Sequence, residues 1–140
     1  MPETLLQRNQ AILHRMETLR PVEDRIRQVF LDGKREQIRT SRDTAGSRFQ
    51  PLARSTLEQP RQDPRPFLKH GEASSILTQY FVRVETDFRR IVVTAGWPME
   101  WPRYHIAGGR RLPRRDIGGF REQDTREAMQ IFREYVINGR

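Results

Sequence analysis

The stretch from Trp97 to Phe120, WPMEWPRYHIAGGRRLPRRDIGGF, constrains this chain more than any other. It holds both tryptophans, three of the nine prolines, four of the nine glycines and five arginines. Prolines every few residues remove backbone donors and fix φ, which predicts that no helix runs through it. The glycine pairs Gly108-Gly109 and Gly118-Gly119 supply the positive-φ positions that tight turns require. A segment at once aromatic, basic and rich in turns reads as a shaped surface loop.

Regular elements are expected on either side. Thr4-Leu5-Leu6-Gln7 fits a capping box. Leu5, Leu6, Ile12, Leu13, Met16 and Leu19 then keep helical spacing. Pro21 ends that helix and opens the next, whose stripe of Val22, Ile26, Val29 and Phe30 reaches Gly33 or a little beyond. His14 lies beside the apolar face and is assigned no chemistry.

From Lys34 to Pro66 the pattern loosens into an extended arm. Asp43-Thr44-Ala45-Gly46 signals a turn, and Pro60, Pro64 and Pro66 make a stiff linker. A short helical turn is expected around Glu72 to Leu77. Tyr80, Val82 and Val84 alternate with polar neighbours, Thr86-Asp87 offers a turn, and Arg90 to Thr94 is rich in β-branched residues. Together they read as a β-hairpin, which needs the N-terminal stripes as cover because two strands alone are marginal in water. A last helix is expected from a cap at Asp124, with Ala128, Met129, Ile131, Phe132, Tyr135, Val136 and Ile137 as its apolar face and Asn138-Gly139 as its stop.

The fold class that follows is α+β: N-terminal helices and a C-terminal helix packed on a small antiparallel sheet, with long Pro/Gly-rich loops. One domain, 1–140, is expected. It divides into a helical part at 1–33, an extended arm at 34–71, and a region at 72–140 holding the hairpin, the aromatic-basic loop and the last helix.

Composition narrows the function. The chain has no cysteine, which removes thiolate chemistry and disulfides. His14, His70 and His105 are far apart, without metal-ligand spacing. The glycine pairs lack the Lys and Ser/Thr of a phosphate loop. An enzyme is therefore not expected, and neither a catalytic residue, a metal nor a cofactor is assigned. No apolar run approaches the roughly 20 residues that span a bilayer. The Met1-Pro2-Glu3-Thr4 start has no signal-peptide pattern, so synthesis in the cytoplasm is the expectation.

Net charge is +8, from 24 arginines and 2 lysines against 18 acidic residues. Such a balance favours nucleic acid or an acidic protein surface, and arginine suits fixed pairing across interfaces. Arg103, Arg110, Arg111, Arg114 and Arg115 are the candidate contacts to either partner. Non-specific nucleic-acid binding is the alternative to a protein interface, although no recognised nucleic-acid motif is present.

The order of motifs carries a resemblance. Gly46 and Phe49 precede Pro51-Leu52-Ala53-Arg54-Ser55-Thr56-Leu57, and Leu68-Lys69-His70-Gly71 follows. After the hairpin come Trp101-Pro102-Arg103-Tyr104-His105, a glycine turn, and Leu112-Pro113-Arg114-Arg115 before the last helix. Over roughly residues 20–138 this resembles the phage virion morphogenesis family of Mu-like and related tailed phages, the tail-completion or neck proteins. Phe49 stands where that family has tryptophan, Ala53 where it has serine, and Tyr104 directly abuts His105.

The resemblance implies a structural virion protein of the neck or tail, without cofactor, acting in tail completion or head–tail joining. It would assemble after synthesis in the host cytoplasm as a homo-oligomeric ring, a hexamer or dodecamer, against other neck, connector or tail proteins. On this reading Phe49, Leu52, Trp97, Trp101, Tyr104, His105 and Phe120 are the candidate interface residues, and the arginines meet acidic neighbours or passing DNA.

Overall fold

A computed structural model describes residues 2–87 and 89–140; Met1 and Phe88 lie outside the described residues. The protein is α+β, with helices at both ends of the chain and a two-stranded antiparallel sheet between them. Helices α1 (Leu5–Glu17), α2 (Glu23–Arg39), α3 (Arg54–Leu57) and α4 (Ser75–Thr78) precede strands β1 (Phe81–Asp87) and β2 (Arg90–Gly96). Helices α5 (Trp101–Ala107) and α6 (Glu122–Asn138) follow. The chain packs as two compact units drawn from interleaved segments: Met1–Phe30, Val82–Thr94 and Glu122–Arg140 in one, Leu31–Phe81 and Ala95–Arg121 in the other.

In the first unit α1 opens with the expected capping box, Thr4 and Gln7 satisfying each other's end donors. Its end is tied to α6: the Arg15 guanidinium donates to the carbonyls of Val136, at 2.6 Å, and Ile137, at 3.1 Å. A cation on the last carbonyls of a helix also opposes the helix dipole favourably. Pro21 lies in a 3₁₀ turn (Arg20–Val22) that leads straight into α2, where a missing N–H costs nothing. Leu19, Val22, Ile26, Val29, Phe30, Val82, Val84, Ala128 and Val136 are buried.

The expectation that both N-terminal stripes cover the hairpin needs correcting. Ile26 and Phe30 of α2 join Ile91, Val93, Ala128 and Phe132 around an open, largely apolar groove of about 260 Å³. Helix α1 buries no residue completely, and Leu5 and Leu6 are 75% and 67% exposed. It touches the hairpin at its last turn, where the Arg89 N–H donates to the Met16 carbonyl. The hairpin turn also falls later than Thr86-Asp87: β1 runs through Asp87, and Arg89 takes a left-handed φ of 58°. Helix α6 starts at Glu122, two residues before the expected cap, which makes Asp124 a buried first-turn acid. Gly139, at φ 72°, stops it as expected.

In the second unit α2 does not end near Gly33 but continues to Arg39. Its continuation buries Lys34, Gln37 and Ile38, so helical periodicity persisted with polar residues on the inner face. Ile38 joins Phe49, Leu68, Ile76, Leu77 and Ile117 in the core. The expected arm is therefore anchored at both ends, by Phe49 and Leu68. The Asp43–Gly46 turn forms as read, with the Gly46 N–H donating to the Asp43 carbonyl and the Ser47 N–H to the Asp43 carboxylate.

Candidate functional site: an arginine turn on an aromatic scaffold

The segment from Trp97 to Phe120 belongs wholly to the second unit. Part of it is helical, contrary to expectation. Pro102 occupies the second position of α5, where the backbone N–H has no partner within the helix and a fixed φ is already helical. Prolines recurring every few residues were read as excluding a helix, yet the seven residues from Trp101 to Ala107 fit between Pro98 and Gly108. Gly108, at φ 69°, ends the helix, and its N–H donates to the Tyr104 carbonyl. A Cβ there would lie 2.9 Å from that of Arg114 and 3.1 Å from its backbone, so glycine is required both for conformation and for space.

Beyond Gly108 the chain makes a tight turn. Gly109 and Leu112 exchange backbone hydrogen bonds of 2.8 and 3.3 Å, which places Arg110 and Arg111 together at the tip. Both are exposed, and among the described residues neither has an ion-pair or hydrogen-bond partner. The base of the turn is fixed by the Arg114 Nε, which donates to the Ile106 carbonyl at 3.1 Å, and by the Arg115 N–H, which donates to the His105 carbonyl at 2.8 Å.

The rest of the segment has no regular structure, and side chains satisfy its carbonyls. Lys34 is only 4% exposed; its ammonium donates to the carbonyls of Ile117, at 2.5 Å, and Gly119, at 3.0 Å, and to Gln37 Oε1. It also lies 5.8 and 5.9 Å from the ring centres of Tyr80 and Trp97. The Thr44 hydroxyl donates to the Gly118 carbonyl, and the Thr44 N–H to the Asp116 carbonyl at 2.9 Å. Lys34 stands where the apolar pattern loosens in the sequence, so the local pattern did not mark it as buried. Its spacing from Phe30 and Ile38, four residues each way, was the available signal.

These contacts divide the candidate residues. Phe49 is buried in the core and Arg115 is only 6% exposed, its guanidinium donating to the carbonyls of Gln50, at 2.8 Å, and Pro51, at 3.1 Å. Both are engaged within the chain, which corrects their reading as contacts to a partner. Burial lowers the pKa of Arg115. Trp97 is half-buried, its indole N–H donating to the Ile76 carbonyl at 2.9 Å and its ring 4.9 Å from Tyr80. Trp101 and His105 are half-buried in an aromatic cluster with Phe67. Leu52 and Phe120 are half-buried as well.

Tyr104 is the aromatic candidate left open, at 50% exposure. The Arg103 guanidinium lies 5.1 Å from its ring centre and pairs with Glu100 at 3.5 Å. Arg114 pairs with Asp116 at 3.4 Å. The outward surface thus includes Tyr104 with Arg103, Arg114, and the Arg110–Arg111 tip. A pair of free guanidinium groups on a stiff turn can grip phosphate or carboxylate oxygens through paired N–H donors.

Among the described residues no group of three histidine, aspartate or glutamate side chains is placed to hold a metal ion. No described helix is long and apolar enough to cross a membrane. The chain is thus a small α+β protein with a basic, aromatic surface built on a polar-anchored loop. Comparison with known proteins finds no matching family model, no matching curated protein and no matching solved structure.

Proposed function

We propose that this chain is a structural virion protein acting in tail completion or head–tail joining of a tailed phage or phage-derived particle. It works as a ring subunit at the neck, without cofactor and without catalysis. Two things support the reading: the order of motifs shared with the virion morphogenesis family, and the form of the outward surface. The Arg110–Arg111 turn carries it. Two exposed arginines, unpartnered among the described residues and held on a glycine-locked turn near an exposed tyrosine, form a docking surface organised before any partner arrives. Its partner is an acidic patch on a neighbouring copy, connector or tail protein.

The test is the protein content of purified particles from the source strain, with and without the gene. Several copies per particle, together with unjoined heads and tails after deletion, are expected. Complete particles formed without it would end the proposal.

Non-specific nucleic-acid binding is the second reading, favoured by the same two free guanidinium groups. It predicts affinity for duplex DNA that falls steeply between about 50 and 200 mM salt. Docking to a protein ring that survives this range argues for the first reading.

A further inference from the structure

The arm from Gln50 to Pro66 belongs to the second unit, and its two ends meet at one place. Phe49 before it and Phe67 after it meet edge to face, ring centres 5.5 Å apart, and close its stem. Two strained features coincide there. Phe67 holds a left-handed φ of 70°, a conformation that bulky residues adopt only when their surroundings impose it. The imposing contacts are Trp101, stacked at 6.1 Å, and His105, edge-on at 4.8 Å. His105 in turn has a buried Nδ1 with no hydrogen-bond partner among the described residues.

A neutral imidazole tolerates this position as an aromatic ring, but an imidazolium does not. Its Nδ1–H would have no acceptor, and its charge would be half-buried and repelled by the Arg115 guanidinium. Arg115 is the charged group that acts on it, from the segment after the arginine turn; its guanidinium is fixed to the Gln50 and Pro51 carbonyls at the other end of the same stem. Burial first, and then the Arg115 charge, lower the pKa of His105. The charged groups nearby are tied to one another: Asp63 to Arg65 in the arm ahead of Phe67, Glu100 to Arg103 on α5, and Arg114 to Asp116. None supplies a counter-ion to Nδ1.

We propose that His105 and Phe67 form an acid-released latch that holds the 50–66 arm closed at neutral pH and frees it on acidification. Protonation drives the His105 ring toward water. Phe67 then loses its nearest ring contact, its left-handed backbone relaxes, and the stem opens while the rest of the core stays packed.

The test is amide hydrogen exchange on the full chain at pH 7.5 and 5.5, corrected for the intrinsic pH dependence of exchange. Peptides within 50–66 are expected to exchange severalfold faster at pH 5.5, up to the roughly tenfold that one proton on a group of ordinary pKa 6.5 can supply, with α6 unchanged. In His105→Phe the arm is expected to stay closed at both values. In Phe67→Gly, which removes both the ring and the backbone strain, it is expected to be open at both. Should His105→Phe fail to fold, the wild type still decides by NMR. The His105 imidazole must titrate below the ordinary histidine value of 6.5, with the same midpoint as arm release. An arm whose exchange ignores pH, a response that survives His105→Phe, or midpoints that differ would overturn the latch.

Discussion

The two units hold themselves together by different means. The first is helix and hairpin, whose backbone groups bond to one another, and its interior is mostly apolar side chains on regular elements, with Asp124 buried at the start of α6. The second must hold the irregular run from Gly108 to Arg121, which beyond the Gly109–Leu112 turn does not satisfy its own carbonyls. It recruits Lys34, Gln37 and Thr44 as donors instead, while Arg115, from within the run, donates to the Gln50 and Pro51 carbonyls. The difference teaches where charge is structural: a buried cation appears where backbone has no ladder to join.

The sharpest way to break this contrast is Lys34→Met. It leaves the Ile117 and Gly119 carbonyls without their donor, and about 3 kcal/mol of stability is expected to be lost in urea unfolding. A loss under about 1 kcal/mol would mean that the loop is held by its apolar contacts alone. Arginines only a few residues apart offer the next comparison. Arg115→Leu is expected to cost about 2 kcal/mol, because the Gln50 and Pro51 carbonyls lose their partner, whereas Arg110→Ala with Arg111→Ala stays within about 0.5 kcal/mol. Equal costs would erase the distinction between anchoring and outward arginines.

Gly108→Ala combines a left-handed φ with a contact of 2.9 Å to Arg114, and a melting-temperature drop equivalent to about 2 kcal/mol is expected. The pH dependence sharpens the contrast further. Because the folded-state pKa of His105 lies below 6.5, the unfolded chain binds its proton more readily. The stability this neutral ring contributes is fully present above pH 6.5 and declines as pH falls below it. His105→Phe is expected to flatten that part of the stability profile, read by denaturant midpoints at pH 7.5 and 5.5.

The smallest effect belongs to the first unit. Leu5→Ser with Leu6→Ser touches side chains already 75% and 67% exposed, and a change within about 0.5 kcal/mol is expected. A large loss would show that α1 is packed more tightly than its exposure indicates.

Much of the fold was legible because it rests on local spacing. The Thr4–Gln7 capping box, the Tyr80, Val82 and Val84 alternation and the Gly139 stop each depend on neighbours within a few residues. What escaped was long-range. The continuation of α2 carried Lys34 and Gln37 inward, so the apolar count fell just where the helix became most buried. Helix α5 escaped because prolines recurring every few residues were read as excluding a helix from this stretch, although the first turn of a helix accepts one, as it does near Pro21. In the candidate site, the aromatic and arginine content was visible at once. Which arginines face outward was not, since Arg110 and Arg115 read alike in one dimension.

By itself, then, the sequence determined the hairpin, the α1 cap, the α6 stop and the turn around Gly46, because hydrogen bonds and side-chain periods of two to four residues specify them. Only the tertiary structure decided that Phe49 and Arg115 lie inside, that Lys34 anchors a loop more than eighty residues away, and that Arg110 and Arg111 stay exposed. Those outcomes depend on which unsatisfied carbonyl meets which donor, and that pairing exists only once distant segments have packed.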